Sequence, residues 1–156
     1  MNPISKFTFL FSIVTFVATA QESNLKNIKK LTFGGDNAEA YFSPDSKHLT
    51  LQVSNAAAGI PCDQIFMLDL QEKEFSQKSL KPISNGKGRT TCSYYMPDGK
   101  HILYASTFEG NEACPSPPKP HDGKYLWAVY PEFDIYLSDL NGKIVKKLTD
   151  SPGYDA

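Results

Sequence analysis

Residues 42–49 read FSPDSKHL, and residues 95–102 read YMPDGKHI. In both stretches an aromatic residue and a Pro-Asp turn lead into an apolar segment. Proline fixes φ at the first central position of a turn, and the Asp side chain can accept hydrogen bonds from backbone amides just ahead of it. Polar and apolar residues alternate on both sides of the first turn, so the stretch predicts a β-hairpin.

Each hairpin belongs to a longer unit that recurs along the chain. The units begin with LTFG at 31–34, ISNG at 83–86 and LTDSPG at 148–153. The first two units also share a second predicted hairpin, built on QIFMLDL at 64–70 and DIYLSDL at 134–140. Four short strands in a repeat of about fifty residues are typical of one β-propeller blade.

The sequence therefore predicts an all-β fold made of propeller blades, two of them four-stranded and antiparallel. We place blade 1 at about 31–82, blade 2 at about 83–147 and the start of blade 3 at 148–156. A linker at 21–30 precedes them.

The second unit is longer than the first. Pro44 and Pro97 are 53 residues apart, whereas Asp69 and Asp139 are 70 residues apart, a difference of 17. The additional residues lie between the second and third predicted strands of blade 2, in a proline-rich insertion at 107–132. An insertion in a regular array lies on one rim, either as an ordered functional loop or as an idle flap.

These repeats resemble those of TolB-type propellers, also called WD-like propeller repeats, over residues 31–156. The resemblance rests on the Leu-Thr start of a unit, the aromatic-Ser-Pro-Asp-Gly-Lys turn, and the later Ile-Tyr-x-x-Asp-Leu-x-Gly segment. The first unit departs from the pattern, because Ser46 stands where glycine is usual and the Asn-Gly turn at 141–142 has no counterpart.

The resemblance implies a closed ring of about six blades, since closure removes exposed sheet edges. It therefore implies that this chain is the N-terminal fragment of a longer protein and needs further blades to close the ring. It also implies a periplasmic location and association with envelope proteins.

The first twenty residues have the pattern of a secretory signal peptide. Lys6 precedes an apolar run at 7–17, and small residues at 18–20 suit a signal peptidase that cuts before Gln21. The run is shorter than the roughly 20 residues that a transmembrane helix needs. An uncleaved anchor helix is the alternative. We expect a periplasmic or secreted protein with no transmembrane segment after cleavage.

Charge gives no indication of a nucleic-acid partner. The formal net charge is -1, and lysines and acidic residues are interspersed without a basic stripe. We therefore expect a protein or peptide partner in the cell envelope and no binding of nucleic acid.

The chain has three cysteines, which permit one disulfide and leave one thiol over. Cys62 and Cys114 are expected in the loops between second and third strands, and Cys92 at the entry of the first strand of blade 2. A disulfide of Cys114 with either Cys92 or Cys62 would pin the insertion, whereas the alternative is three unpaired thiols. With His121 these residues have metal-ligand chemistry but not the spacing of a zinc site, so we predict no metal and no cofactor.

Aromatic residues gather at the end of the insertion, where Tyr125, Trp127 and Tyr130 form a candidate platform for a peptide or a sugar. The alternative is that these rings pack the insertion onto the blade or begin its third strand. Two charged residues, Glu39 and Arg89, are expected near the central channel, where they would receive a polar ligand or a peptide terminus. They would otherwise be solvated pore lining.

No catalytic motif is present. The chain has no Gly-x-Ser-x-Gly elbow and no glycine-rich phosphate loop. The sequence therefore favours a non-catalytic, exported, TolB-like propeller that binds a protein or peptide partner. The second hypothesis is the front propeller of an exported prolyl-oligopeptidase-type serine peptidase, with its catalytic domain beyond residue 156. A propeller that binds or cleaves glycans is the third.

Overall fold

A computed structural model describes residues 24–124 and 126–156, so the predicted signal peptide and the start of the linker lie outside it. The first sheet contains strands β1 (Asp36–Phe42), β2 (His48–Asn55), β3 (Ile60–Asp69) and β4 (Leu80–Pro82). The second sheet contains β5 (Thr90–Tyr95), β6 (His101–Ser106), β7 (Asp134–Asp139) and β8 (Ile144–Lys147). Two short 3-10 helices, Ala56–Ala58 and Gln77–Ser79, lie in loops of the first sheet.

Both sheets are antiparallel meanders. Their strand orders are β1-β2-β3-β4 and β5-β6-β7-β8. The prediction of an all-β fold with two four-stranded antiparallel sheets is confirmed. The two sheets have the arrangement of propeller blades, but within the described residues they do not close into a ring.

The Pro-Asp turns hold their shape through the aspartate side chains. Asp45 Oδ1 accepts hydrogen bonds from the Ser43 hydroxyl at 2.6 Å and the Lys47 amide at 3.1 Å. In the second sheet Asp98 Oδ1 accepts one from the Lys100 amide at 2.8 Å. These bonds favour the ionised carboxylates, so the pKa of each aspartate lies below its ordinary value.

The sheets pack face to face around one apolar cluster. It is made of buried residues from both sheets and the join between them: Ile65, Ile83, Tyr95, Ile102, Tyr104 and Tyr136. A second cluster covers the other face of the first sheet and contains Leu49, Leu51, Val53, Phe66, Leu68 and Leu80. Burying each such side chain stabilises the fold by about 1.5–3 kcal/mol. A buried hydrogen bond between the hydroxyls of Thr50 and Ser93 joins β2 to β5.

One detail differs from the expectation. Cys62 lies inside β3 and not in the loop before it, because β3 extends back to Ile60 to pair with the end of β2 at Asn55. Residues 148–156 form no strand. Their backbone instead bonds to the start of β7, through the Leu148 amide to the Ile135 carbonyl at 2.8 Å.

No helix among the described residues is long and apolar enough to cross a membrane.

Candidate functional site

The insertion is held at its start by a covalent bond and by polar contacts. A disulfide joins Cys62 in β3 to Cys114 in the insertion, with the two Cα atoms 5.6 Å apart. Beside it, Lys87 Nζ lies 2.6 Å from the Glu112 carboxylate, and the Gly88 amide donates to the Glu112 carbonyl at 2.8 Å. The first part of the insertion is therefore fixed against the join between the two sheets.

A lysine on β8 holds the turn at the very start of the insertion against β7. Lys147 Nζ lies 3.1 Å from the Glu109 carboxylate and 2.7 Å from that of Asp134. The hydrogen bonds to both carboxylates, first to Asp134 and then to Glu109, raise the pKa of Lys147. The ammonium group therefore stays charged across the physiological range.

The far end of the insertion packs on the start of the third unit. Phe133 is buried, and its ring meets that of Tyr154 edge-to-face at 5.3 Å between centroids. The Trp127 indole Nε1 donates to the Tyr154 hydroxyl at 3.3 Å, and the Tyr130 hydroxyl donates to the Ser116 carbonyl at 2.7 Å. The aromatic residues thus pack the insertion, and β7 begins only after them, at Asp134.

Between the insertion and the two sheets lies a cavity of about 470 Å³, hereafter the insertion cavity. Its polar floor comes from the sheets and contains Gln52, Asp63, Arg89 and Thr91. Its walls are apolar and aromatic, and come from the insertion and the third unit: Pro117, Pro118, Pro120, Leu126, Trp127, Ala128, Tyr130, Phe133 and Tyr154.

Arg89 supplies the positive charge of this floor. Its backbone is fixed just before β5, since its amide donates to the Thr107 hydroxyl at 3.0 Å and its carbonyl accepts from the Thr107 amide at 3.0 Å. The guanidinium carbon lies 6.0 Å from the centroid of the Tyr130 ring. The Nε atom lies 3.6 Å from a carboxylate oxygen of Asp63, which is an ion pair without a hydrogen bond.

The polar residues beside Arg89 come from two different strands. The Thr91 hydroxyl on β5 donates to the Gln52 amide oxygen on β2 at 2.6 Å. Thr91 is buried and Gln52 is half-buried. Because both sheets contribute to this pair, the floor of the cavity depends on how the sheets pack together.

The structure brings three of the predicted binding residues to one place. Arg89, Trp127 and Tyr130 all line the insertion cavity, and the exposed fraction of Trp127 is 63%. Tyr125, predicted beside them, lies outside the described residues.

Glu39 lies elsewhere, at a smaller cavity of about 230 Å³ along β1. Its carboxylate accepts a hydrogen bond from the Tyr41 hydroxyl at 2.5 Å, and this bond raises the pKa of Tyr41. Glu39 and Arg89 therefore border different cavities of the described residues.

The three cysteines do not lie at one site either. Cys62 and Cys114 form the disulfide and border a second cavity of about 410 Å³. Cys92 lies in β5 as an exposed free thiol. Within residues 24–124 and 126–156, no group of three or more His, Cys, Asp or Glu side chains is placed to hold a metal ion.

Several lining residues of the cavity were not predicted as binding residues, among them Gln52, Asp63, Thr91 and Tyr154. Asp63 and Thr91 are sequence neighbours of Cys62 and Cys92. Gln52 lies in the alternating pattern of β2, and Tyr154 lies just after the Pro-Gly pair of the third unit. The signal that could have identified Asp63 is an acidic residue inside an otherwise apolar strand pattern.

Comparison with known proteins finds structural neighbours among the solved structures. No protein-family model matches the chain, and no curated protein sequence matches it. A solved structure provisionally assigned to TolB from Agrobacterium tumefaciens is similar at 18% identity, with a TM-score of 0.48. The match covers 76% of this chain and 35% of the other, so this chain spans about a third of that protein's length.

Proposed function

We propose that this chain belongs to an exported, non-catalytic protein of the β-propeller type that binds a protein or peptide partner of the cell envelope. The binding site in this proposal is the insertion cavity. The observation that carries it is the convergence of Arg89, Trp127 and Tyr130 on one concave surface.

The composition of the cavity supports binding. Arginine, tryptophan and tyrosine are the residue types that are enriched among the energetically dominant residues of protein interfaces, and the two aromatic side chains offer large contact areas with few rotatable bonds. A volume of about 470 Å³ falls within the range of roughly 300–1,000 Å³ that is usual for ligand pockets. A short peptide or a projecting side chain of a partner protein fits such a space.

The bonds that hold the insertion in place favour a binding site that is already formed before the ligand binds. The disulfide fixes one end of the insertion, and the bonds of Trp127 and Tyr130 fix the other. A wall that is already ordered loses less conformational entropy on binding, which raises affinity.

Contacts of the polar floor favour binding over catalysis. The Thr91 hydroxyl donates to the amide oxygen of Gln52, which is not a base, so this hydroxyl is not activated as a nucleophile. Asp63 lies against Arg89, and that charge pair orients the side chains at the floor.

Export is proposed from the signal-peptide pattern, with the disulfide as support. Disulfides persist in oxidising compartments such as the periplasm or the extracellular space. Fractionation of host cells, followed by N-terminal sequencing, tests this part. A periplasmic or secreted product beginning at Gln21 is expected, and a cytoplasmic product beginning at Met1 would contradict export.

Site-specific photocrosslinking in the native host tests the binding site. A benzoyl-phenylalanine at position 127 is compared with one at position 145, because Trp127 and Val145 have similar exposed fractions, 63% and 52%. Val145 lies on the outer strand β8, away from the cavity. We expect a discrete adduct with an envelope protein from position 127, absent from position 145 and weakened by Tyr130→Ala.

Equal adducts from both positions would show that the cavity is not the binding site. No adduct from either position, with the protein folded and exported, would contradict the proposed function.

A further inference from the structure

The floor of the insertion cavity presents a single cation among apolar walls. We propose that the ligand class of this cavity is a peptide end with a free α-carboxylate and an apolar terminal side chain. The carboxylate would lie on Arg89, and the terminal side chain would lie against Trp127 and Tyr130. This inference rests on the proposed function and narrows it to one chemical group.

The guanidinium of Arg89 has N–H donors that make no hydrogen bond within the described part of the chain. Its Nε atom is buried and has no hydrogen-bond partner among the described residues, and its contact to Asp63 is 3.6 Å long. No hydrogen bond from its two terminal nitrogens occurs in the described part of the chain either. A planar guanidinium with unused donors matches the two oxygens of a carboxylate, and such a pair is shorter and stronger than a neutral hydrogen bond.

A second donor lies on the same floor. The Gln52 amide oxygen is occupied by the Thr91 hydroxyl, which leaves the amide nitrogen of Gln52 as a donor at the cavity surface. A carboxylate accepts up to about four hydrogen bonds. Arg89 and Gln52 both line the cavity, so in this proposal both supply donors to the carboxylate.

Asp63 determines which net charge of a ligand the cavity favours. It balances Arg89, so the floor as a whole is close to neutral. A ligand with one negative charge gains the Arg89 contacts, whereas each further negative charge adds repulsion from Asp63 and meets no second cation among the described lining residues. The apolar walls favour a ligand whose body is apolar and whose charge lies at one end, and they strengthen the charge contact by excluding water.

A sugar stacked on Trp127 is the competing ligand class, since an aromatic ring also binds the apolar face of a sugar. A neutral sugar leaves the Arg89 guanidinium with only its 3.6 Å contact to Asp63, so the unused donors of Arg89 favour the carboxylate. The sugar is kept as an outcome of the test.

Fluorescence of Trp127 provides the measurement, because it is the only tryptophan of the chain and lines the cavity. The full chain is titrated with N-acetyl tripeptides that end in Leu, Phe, Val or Pro, each as the free acid and as the C-terminal amide. We expect at least one acid to bind about tenfold or more tighter than its amide, as for a hydrogen-bonded charge pair.

Variants then assign the preference to Arg89. Arg89→Met should abolish the difference between acid and amide, and Arg89→Lys should keep part of it. Lys146→Met removes one positive charge at an exposed position on β8 and should leave the difference unchanged. The comparison of acid with amide on the unmodified chain needs no variant, so it stands even if Arg89→Met fails to fold.

The outcomes separate this inference from the proposed function. Acid and amide that bind equally well, with the Trp127 signal retained, overturn the carboxylate and leave peptide binding intact. Binding of N-acetylglucosamine oligomers but of no peptide overturns both in favour of a glycan site. A preference for the acid that survives Arg89→Met overturns the assignment to Arg89.

Discussion

Glu39 and Cys92 adopt the same left-handed backbone conformation, with φ of 50° and 51°. Each lies at the register shift of the first strand of its sheet, where the pairing skips between Ala38 and Tyr41 in β1 and between Thr91 and Tyr94 in β5. The two sheets therefore repeat the same β-bulge. Neither residue is glycine, although this conformation costs a non-glycine residue about 1–3 kcal/mol.

The first prediction follows from this bulge. Replacing Cys92 with valine should lower the free energy of unfolding by about 1–3 kcal/mol, because a β-branched side chain is strained at positive φ, while Cys92→Gly should be neutral or stabilising. Urea unfolding measures both. Lys146 serves as the control position, because it is an exposed strand residue without positive φ. There the valine variant should be more stable than the glycine variant. The same order at both positions would contradict the strain argument.

The second prediction concerns the disulfide. Cys62 and Cys114 are 52 residues apart, and closing a loop of this size stabilises the folded state by about 2–4 kcal/mol. Thermal unfolding of the chain should therefore shift to lower temperature in the presence of a reductant. Thiol titration in denaturant should give one free thiol before reduction and three after it.

Two variants control this measurement. Cys114→Ser should lower the unfolding temperature and lose its response to reductant. Cys92→Ser should keep both the stability and the response of the unmodified chain, because Cys92 is free and exposed. A response that disappears with Cys92→Ser would mean that Cys92 takes part in the disulfide.

The third prediction is a loss of stability in acid. The pKa of Asp98 is lowered by hydrogen bonds from the Lys100 amide and from His101. A carboxylate whose pKa is lower in the folded state stabilises the fold above its unfolded pKa of about 3.9, and this contribution is lost as the pH falls through the folded pKa. Asp98→Asn should therefore lower the unfolding temperature at pH 7, and the difference should shrink below pH of about 4.

An exposed aspartate serves as the comparison. Asp122 accepts no backbone hydrogen bond among the described residues, and its side chain is 80% exposed. Asp122→Asn should change the unfolding temperature little at either pH. A difference for Asp98→Asn that is the same at pH 7 and pH 3 would rule out the carboxylate charge as its cause.

The fourth prediction is a loss of stability in alkali. Burial raises the pKa of Tyr95 to about 12 and that of Tyr104 to about 12. Between about pH 10 and pH 12 the unfolded state releases these phenol protons, whereas the folded state keeps them. The free energy of unfolding should therefore fall as the pH rises through this range. Absorbance at 295 nm should show tyrosines that ionise only near pH 12, and Tyr104→Phe should remove part of that step. A titration complete by pH 11 would contradict this.

The turns and strands could be predicted because their signals are local. Pro44 and Pro97 fix the geometry of their turns, and the alternation on either side fixes which face of each strand is buried. The meander follows from short connections between consecutive strands.

The site could be predicted only in part, because the insertion has no regular alternation of polar and apolar residues from which its packing could be inferred. Arg89 and Glu39 were placed together by an approximate match of the repeats. Counting back from Pro97 and Pro44 shows that the counterpart of Glu39 is Cys92, and that of Arg89 is Asp36. The pair of Arg89 with Asp63 depends on how two sheets meet, which no local pattern specifies.

The order of the cysteines along the chain bears on how the native disulfide forms. A chain that crosses a membrane N-terminus first delivers Cys62, then Cys92 and only then Cys114 to an oxidising compartment. The first thiol that Cys62 can meet is Cys92, so the incorrect pair has the earlier opportunity to form. The native pair is then reached by exchange, in which the Cys114 thiolate attacks Cys62 Sγ and Cys92 leaves as the free thiolate. For a chain exported in this way, the native disulfide would form only after isomerisation, although the folded state contains a single crosslink.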